Sequence, residues 1–203
     1  MITTLAVTSP ASTRDLTVLD TVKAELGIVG TSDDAYLADL IRQASDLIAR
    51  FCRRPEGFGR ETVTQTWRLD RDPPCLILAR DIAPAVASVT EDGTALASTD
   101  WLLDGSLLYR LQTDRQVAWT ASKVVVSYAA GFALLTDVPY DLERCCIDLV
   151  RAGWRGRGRD PALKSMRVPD VLDVSYWGGP DATVGGVPKD IADRLAPYSR
   201  WPA

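Results

Sequence analysis

The sequence predicts an α+β fold, a helical bundle with a small antiparallel β module inserted near its middle. Three features predict it. Apolar residues recur at helical spacing before residue 55 and again after residue 139; between these stretches the period falls to two; and tight-turn dipeptides punctuate that middle region. No helical pattern separates the strands, which argues against a parallel α/β sheet. The expected organisation is an N-terminal arm over residues 1–15, a helical domain over 16–60 and 131–203 that includes a C-terminal tail, and an inserted β domain over 61–130.

The opening residues are small and polar, with Pro10 among them, and read as an extended or mobile arm. Thr17, with Asp20 in the first turn behind it, reads as the N-cap of a helix near 18–27 that carries Leu19, Val22 and Leu26 and stops at Gly27. Ser32 reads as the next N-cap, followed by Asp33 and Asp34 where a helix dipole favours carboxylates. Leu37, Leu40, Ile41, Ala44, Leu47, Ile48 and Phe51 then form an unbroken apolar stripe, so a helix is predicted near 33–54.

From Glu61 the pattern alternates, with Val63, Gln65 and Trp67 on one face of a strand. Residues 75–79 (CLILA) are long enough for a buried strand. Val86 to Thr90 leads into Asp92-Gly93, a hairpin signal, and Trp101 to Leu103 leads into Asp104-Gly105 and Leu107-Leu108-Tyr109. KVVVSY, residues 123–128, is the most β-prone run and is closed by Gly131. After Pro139 the helical period returns in Leu142, Cys145, Cys146, Leu149, Val150 and Trp154, which predicts a helix near 139–155. Pro188 opens a last helix near 188–196.

Composition excludes much chemistry. The chain has no histidine, which removes Ser-His-Asp and Cys-His triads, histidine-bearing zinc sites and imidazole acid–base catalysis. Cys52, Cys75, Cys145 and Cys146 contain no C-x-x-C pair and read as four buried, reduced thiols. Neither Asp33 with Asp34 nor Asp70 with Asp72 shows the spacing of a tuned carboxylate pair. The glycines of AGWRGRGRD follow no strand and lack the lysine of a phosphate-binding loop. The expectation is no catalytic residue, no metal and no cofactor. No stretch is long and apolar enough to span a membrane, and the first residues lack the basic start of a secretory signal, so assembly in the cytoplasm is expected.

Two features point to partners. The net charge is −4, yet Arg151, Arg155, Arg157, Arg159, Lys164 and Arg167 are offset only by Asp160, a local charge of +5. This cluster reads either as a contact for phosphates or an acidic partner, or as a flexible solubilising connection. The tail carries Leu195, Pro197, Tyr198 and Trp201, large anchors that either fold back on the core or meet another protein.

The order of the segments then matters more than any one motif. A short helix leads to SDDAYLADLIRQASDLIARFCRR, and a β region carries LARDIAPAVASVTEDGTAL, WLLDG and KVVVSYAAGF. VPYDLERCCIDLVRAGW and a terminal IADRLAPYSRW follow. This order resembles the head–tail connector, or adaptor, proteins of long-tailed bacteriophages, in their long form with a β insertion. Adaptors of gene transfer agent particles are the nearest likeness. The resemblance spans about residues 16–201, and the basic stretch 155–167 departs from it.

The resemblance implies a structural protein of the virion or phage-like particle, assembled in the bacterial cytoplasm as a ring of identical subunits, a dodecamer. Such a ring sits between the portal protein and the stopper or tail-completion protein, and double-stranded DNA passes through it without sequence-specific binding. It implies portal contact at Leu195, Pro197, Tyr198 and Trp201, and a lumen-facing or partner-facing role for Arg155, Arg157 and Arg159. The alternative is a nucleic-acid-binding module acting through residues 151–167.

Overall fold

Two stretches of alternating sequence and two of helical sequence build one β unit and one helical unit, each from discontinuous parts of the chain. The computed structural model describes residues 1–157, 165–168, 172–175 and 183–200, with side chains described over 1–157 and 185–200. The β unit is Met1–Thr13 with Phe58–Ala133, and the helical unit is Arg14–Gly57 with Leu134–Ala203.

The β unit is made of antiparallel strands β1 (Ile2–Ser9), β2 (Glu61–Arg68), β3 (Leu76–Ile77), β4 (Ala85–Glu91), β5 (Thr94–Ala95), β6 (Trp101–Asp104), β7 (Leu107–Gln112), β8 (Arg115–Val117) and β9 (Lys123–Ala130). One sheet has the order β1-β2-β9-β4-β5. In the other, β7 lies between β6 and the pair β3 and β8. The register places Val63 opposite Tyr128, Gln65 opposite Val126 and Trp67 opposite Val124. All six side chains are buried, and with Val89 they share a core with Leu76, Leu78 and Leu108 of the second sheet and with Trp119. Trp119 is closed off on all sides, and its indole N–H donates to the Leu108 carbonyl at 3.2 Å.

The Gln65 amide in this core has partners on both its oxygen and its nitrogen. Gln65 Oε1 accepts from the Tyr128 hydroxyl at 2.7 Å and from the Ala79 N–H at 2.9 Å, while Nε2 donates to the Ile77 carbonyl at 3.2 Å. A buried amide with these bonds is retained at little cost, and it fixes the chain that leaves β3. Burial raises the pKa of the Tyr128 phenol, which keeps it a donor.

Of the two readings of the N-terminal segment, extended or mobile, the structure shows the extended one over residues 2–9. Residues 2–9 are β1, an edge strand paired with β2 from Ile2 opposite Arg68 to Val7 opposite Val63. Nothing local marks ITTLAVTS as a strand; the partner across the ladder supplies the reason. The predicted strand at 75–79 is shorter, reduced to Leu76–Ile77. Asp92 and Gly93 both have positive φ, 46° and 90°, as the predicted two-residue hairpin needs. At the second turn the loop is Gly105-Ser106, one residue later than expected, because Asp104 still pairs with Leu107. Gly131 has φ 105°, and a Cβ there would lie 2.3 Å from the Gly59 carbonyl oxygen, so only glycine closes β9 against the start of β2.

The helical unit contains α1 (Leu19–Leu26), α2 (Asp34–Phe51), α3 (Tyr140–Arg155) and α4 (Lys189–Leu195), and two short hairpins, β10 (Ser165–Val168) with β11 (Leu172–Ser175) and β12 (Thr183–Val184) with β13 (Val187–Pro188). Helix α2 touches α1, α3 and β13, and α3 also touches α1 and α4. Leu16, Val22, Leu37, Ile41, Ala44, Ile48, Leu142, Cys145, Cys146, Val150, Ile191 and Leu195 form the buried surfaces. Cys145 and Cys146 lie side by side on the inner face of α3, as their spacing predicts.

Both expected N-caps move by one residue. Val18, not Thr17, precedes α1, because the Thr17 hydroxyl donates instead to Glu143 Oε1 at 2.9 Å. Asp33, not Ser32, occupies the cap position of α2. Its carboxylate makes no cap bond and turns instead toward Arg157.

Candidate partner-binding surfaces

The basic cluster and the tail, the two features the sequence singles out, both lie in the helical unit. Arg151 bridges Glu25 at 2.7 Å and Asp148 at 3.1 Å. Arg144 pairs with the same two carboxylates, and Arg194 pairs with Asp148 at 2.9 Å, so α1, α3 and α4 are laced by three arginines. Such half-exposed pairs fix orientation more than they add stability, at about 0–1 kcal/mol each.

Arg157 is exposed and also engaged within its own unit. Its guanidinium lies 2.5 Å from Asp33 Oδ1 and 5.1 Å from the ring centres of both Tyr36 and Trp154, which are themselves 6.1 Å apart. The side chain expected to face a lumen or a partner is held in a clamp made by α2 and the end of α3. Its hydrogen bond to Asp33 lowers that carboxyl's pKa. Arg155 is exposed and pairs with no carboxylate among the described residues. Arg159 and Lys164 lie outside the described residues, and Arg167 stands in β10.

The tail folds back on its own unit as far as residue 200. Leu195 is fully buried, with its carbonyl 3.8 Å from Cys52 Sγ, so the residue expected at a portal contact is a core anchor. The buried Arg54 donates Nε–H to the Tyr198 carbonyl at 2.8 Å, and the Arg200 N–H donates to the Cys52 carbonyl at 3.0 Å. Arg200 also pairs with Glu56. The Tyr198 hydroxyl donates to Asp141 Oδ1, and burial with that bond raises the pKa of the phenol. Pro197 is exposed and Tyr198 half-buried, while Trp201 lies outside the described residues.

A third surface lies on the second sheet of the β unit. The outward face of β3, β6 and β7 should be polar if water covered it. Instead Ile77 stands opposite Leu107 and Leu102 opposite Tyr109, with Ile77 63% and Leu102 52% exposed. Leu111 opposite Gln116 continues the strip. The signal was present in WLLD and LLYRL, which are apolar at both parities rather than at one.

Among the described residues no group of three His, Cys, Asp or Glu side chains is placed to hold a metal ion, and no helix is long and apolar enough to cross a membrane.

Residues 17–78, which contain α1, α2, β2 and β3, match the family described as phage gp6-like head-tail connector protein. Among solved structures, the chain is similar to a chain in the neck of an empty gene transfer agent particle computed with C6 symmetry, with a TM-score of 0.51, 18% identity, and coverage of 80% of this chain and 89% of that one. A chain in the virion of a native gene transfer agent particle gives a TM-score of 0.48 and 18% identity, covering 78% of this chain and 88% of that one. No curated protein matches. The likeness read from the order of segments therefore holds: residues 17–78 match the phage head-tail connector family, and the mixed α+β fold is one found in the neck of a gene transfer agent particle.

Proposed function

We propose that this chain is a structural head–tail adaptor and not an enzyme. Twelve copies form a ring between the portal and the stopper or tail of a phage or phage-like particle, and the ring extends the DNA channel. The observation that carries this reading is the connector-family match over residues 17–78, set in a fold that also occurs in a gene transfer agent neck. In this reading the four helices act as one bundle that walls the ring, and the β unit is an insertion in it.

The tail docks on the portal through Pro197, Tyr198 and Trp201, while Leu195 secures it from within. Arg155 and Arg159 face the lumen or the portal. A duplex must slide through the channel, and a wall that bound many phosphates would act as a brake. An acidic chain whose Arg151 and Arg157 are already engaged by its own carboxylates suits that need. The same two ion pairs weaken the alternative of a nucleic-acid-binding module at 151–167. The apolar strip from Ile77 to Leu111 is suited to a stopper or tail protein.

The test is binding to purified portal rings. Co-migration of the chain with the ring is expected, and Pro197→Ala, Tyr198→Ala and Trp201→Ala together abolish it while helical content is kept. A chain that neither binds the portal nor self-associates at high concentration sinks the reading.

A further inference from the structure

A sheet edge is a template for another strand, and this chain guards its edges unequally. Strands β3 and β5 have two residues each, β8 has three and opens on Arg115, and β6 has four and ends on Asp104. Short length and a charge are the usual protections against unwanted pairing. Strand β1 has neither. It runs for eight residues, ITTLAVTS, with no charge, proline or glycine, and every position but Leu5 is exposed. One of its sides pairs with β2, and it ends the sheet order among the described residues.

The hairpin of β10 and β11 is a second incomplete element. Among the described residues it is a two-stranded sheet by itself, running from Ser165 opposite Ser175 to Val168 opposite Leu172. Two strands alone are marginal in water and need a third or a covering surface. The one cation of its two strands, Arg167, stands opposite their one anion, Asp173, so the paired strands carry no net charge toward an uncharged edge.

We propose that the β10–β11 hairpin of one subunit adds to the free edge of β1 in a second copy of this chain, extending the five-stranded sheet to seven across the subunit boundary. The inference rests on the ring reading. A contact between two different elements is heterologous and repeats around an axis, whereas β1 against β1 would be isologous and close at two subunits. Four-residue strands span about 13 Å. They fit within the straight run Ile2–Val7, ahead of the register shift between Val7 and Ser9. Backbone hydrogen bonds carry such an interface, so salt affects it little.

Cysteine pairing tests the contact in a Cys75→Ser background. Thr4→Cys with Met166→Cys in one chain gives a ladder of cross-linked multimers on mild oxidation, and an equal mixture of the two single variants stops at the dimer. Hydrogen exchange of the unmodified chain, dilute and then assembled at high concentration or on a portal ring, gives at least tenfold slower exchange within residues 2–7 and 165–175. Assemblies in which those residues exchange as fast as in the dilute chain, with no ladder, overturn the contact but leave the adaptor reading standing. A chain that forms no assembly under either condition overturns both.

Discussion

Arg54 and Tyr198 are 144 residues apart in sequence, yet the Arg54 guanidinium donates to the Tyr198 carbonyl at 2.8 Å. Arg54 follows the end of α2 and is almost completely buried, with 5% of its surface exposed. A buried cation needs its partners. This pair therefore decides where the last described residues lie, and it presents Pro197 and Tyr198 on the surface.

Arg54→Met removes the charge-assisted bond and keeps most of the volume. It is expected to cost about 2 kcal/mol, a fall in Tm of roughly 4–8 °C for a chain of this size. Limited proteolysis after Leu195 should accelerate more than cleavage elsewhere. Equal acceleration throughout the chain would mean that Arg54 supports the whole unit rather than the tail.

The Tyr198 phenol has its pKa raised above the ordinary 10.0 by burial and by its bond to Asp141. The folded state therefore holds a proton that the unfolded chain releases first. The stabilisation is complete below pH 10 and is lost as pH rises above it. Tyr198→Phe is expected to flatten part of the alkaline fall in stability while costing about 1 kcal/mol at pH 7 through the lost hydrogen bond. Chemical denaturation at pH 7 and pH 10.5 measures both, and an unchanged alkaline slope would place Tyr198 in water.

Thiol reactivity checks the core of the helical unit. Burial raises the Cys52 thiol to a pKa of about 11 and the Cys146 thiol to about 12, and Cys145 is also shifted upward by burial. Cys75 is partly exposed. One thiol should react with an aromatic disulfide within minutes at pH 8, and four in denaturant. A second fast thiol in the native protein would show that the α3 face opens.

Ile77→Lys with Leu102→Lys places charge on the outward face of the second sheet without touching its core. Stability should change by less than about 1 kcal/mol, as at other exposed positions. Attachment of a stopper or tail component should fall at least tenfold. A large loss of Tm would mean that the strip is covered within the chain itself.

The helices were legible because their signal is local and repeated. Seven apolar positions from Leu37 to Phe51 predict α2, and Asp92-Gly93 predicts its hairpin from backbone preference alone. What stayed hidden depends on distant partners. Strand β1 needs β2, more than 50 residues later, to become a strand. Thr17 looks like a cap until Glu143 is brought beside it, and Ser32 looks like one although Asp33 takes the cap position of α2. The turn at Thr113-Asp114, with φ of 51° and 63°, lacks the glycine that would announce it. The tail showed its anchors but not their division of labour, since spacing does not distinguish a sealed Leu195 from an open Pro197.

Because each unit is assembled from two separated stretches, the order of synthesis delays both. At about 5–20 residues per second, β1 leaves the ribosome roughly 3–12 s before β2 exists to receive it. Helix α2 waits longer still for α3. The nascent chain thus carries a bare, uncharged strand until β2 follows it, and a crowd of newly made copies can capture one another's strands before each chain has closed its own sheet.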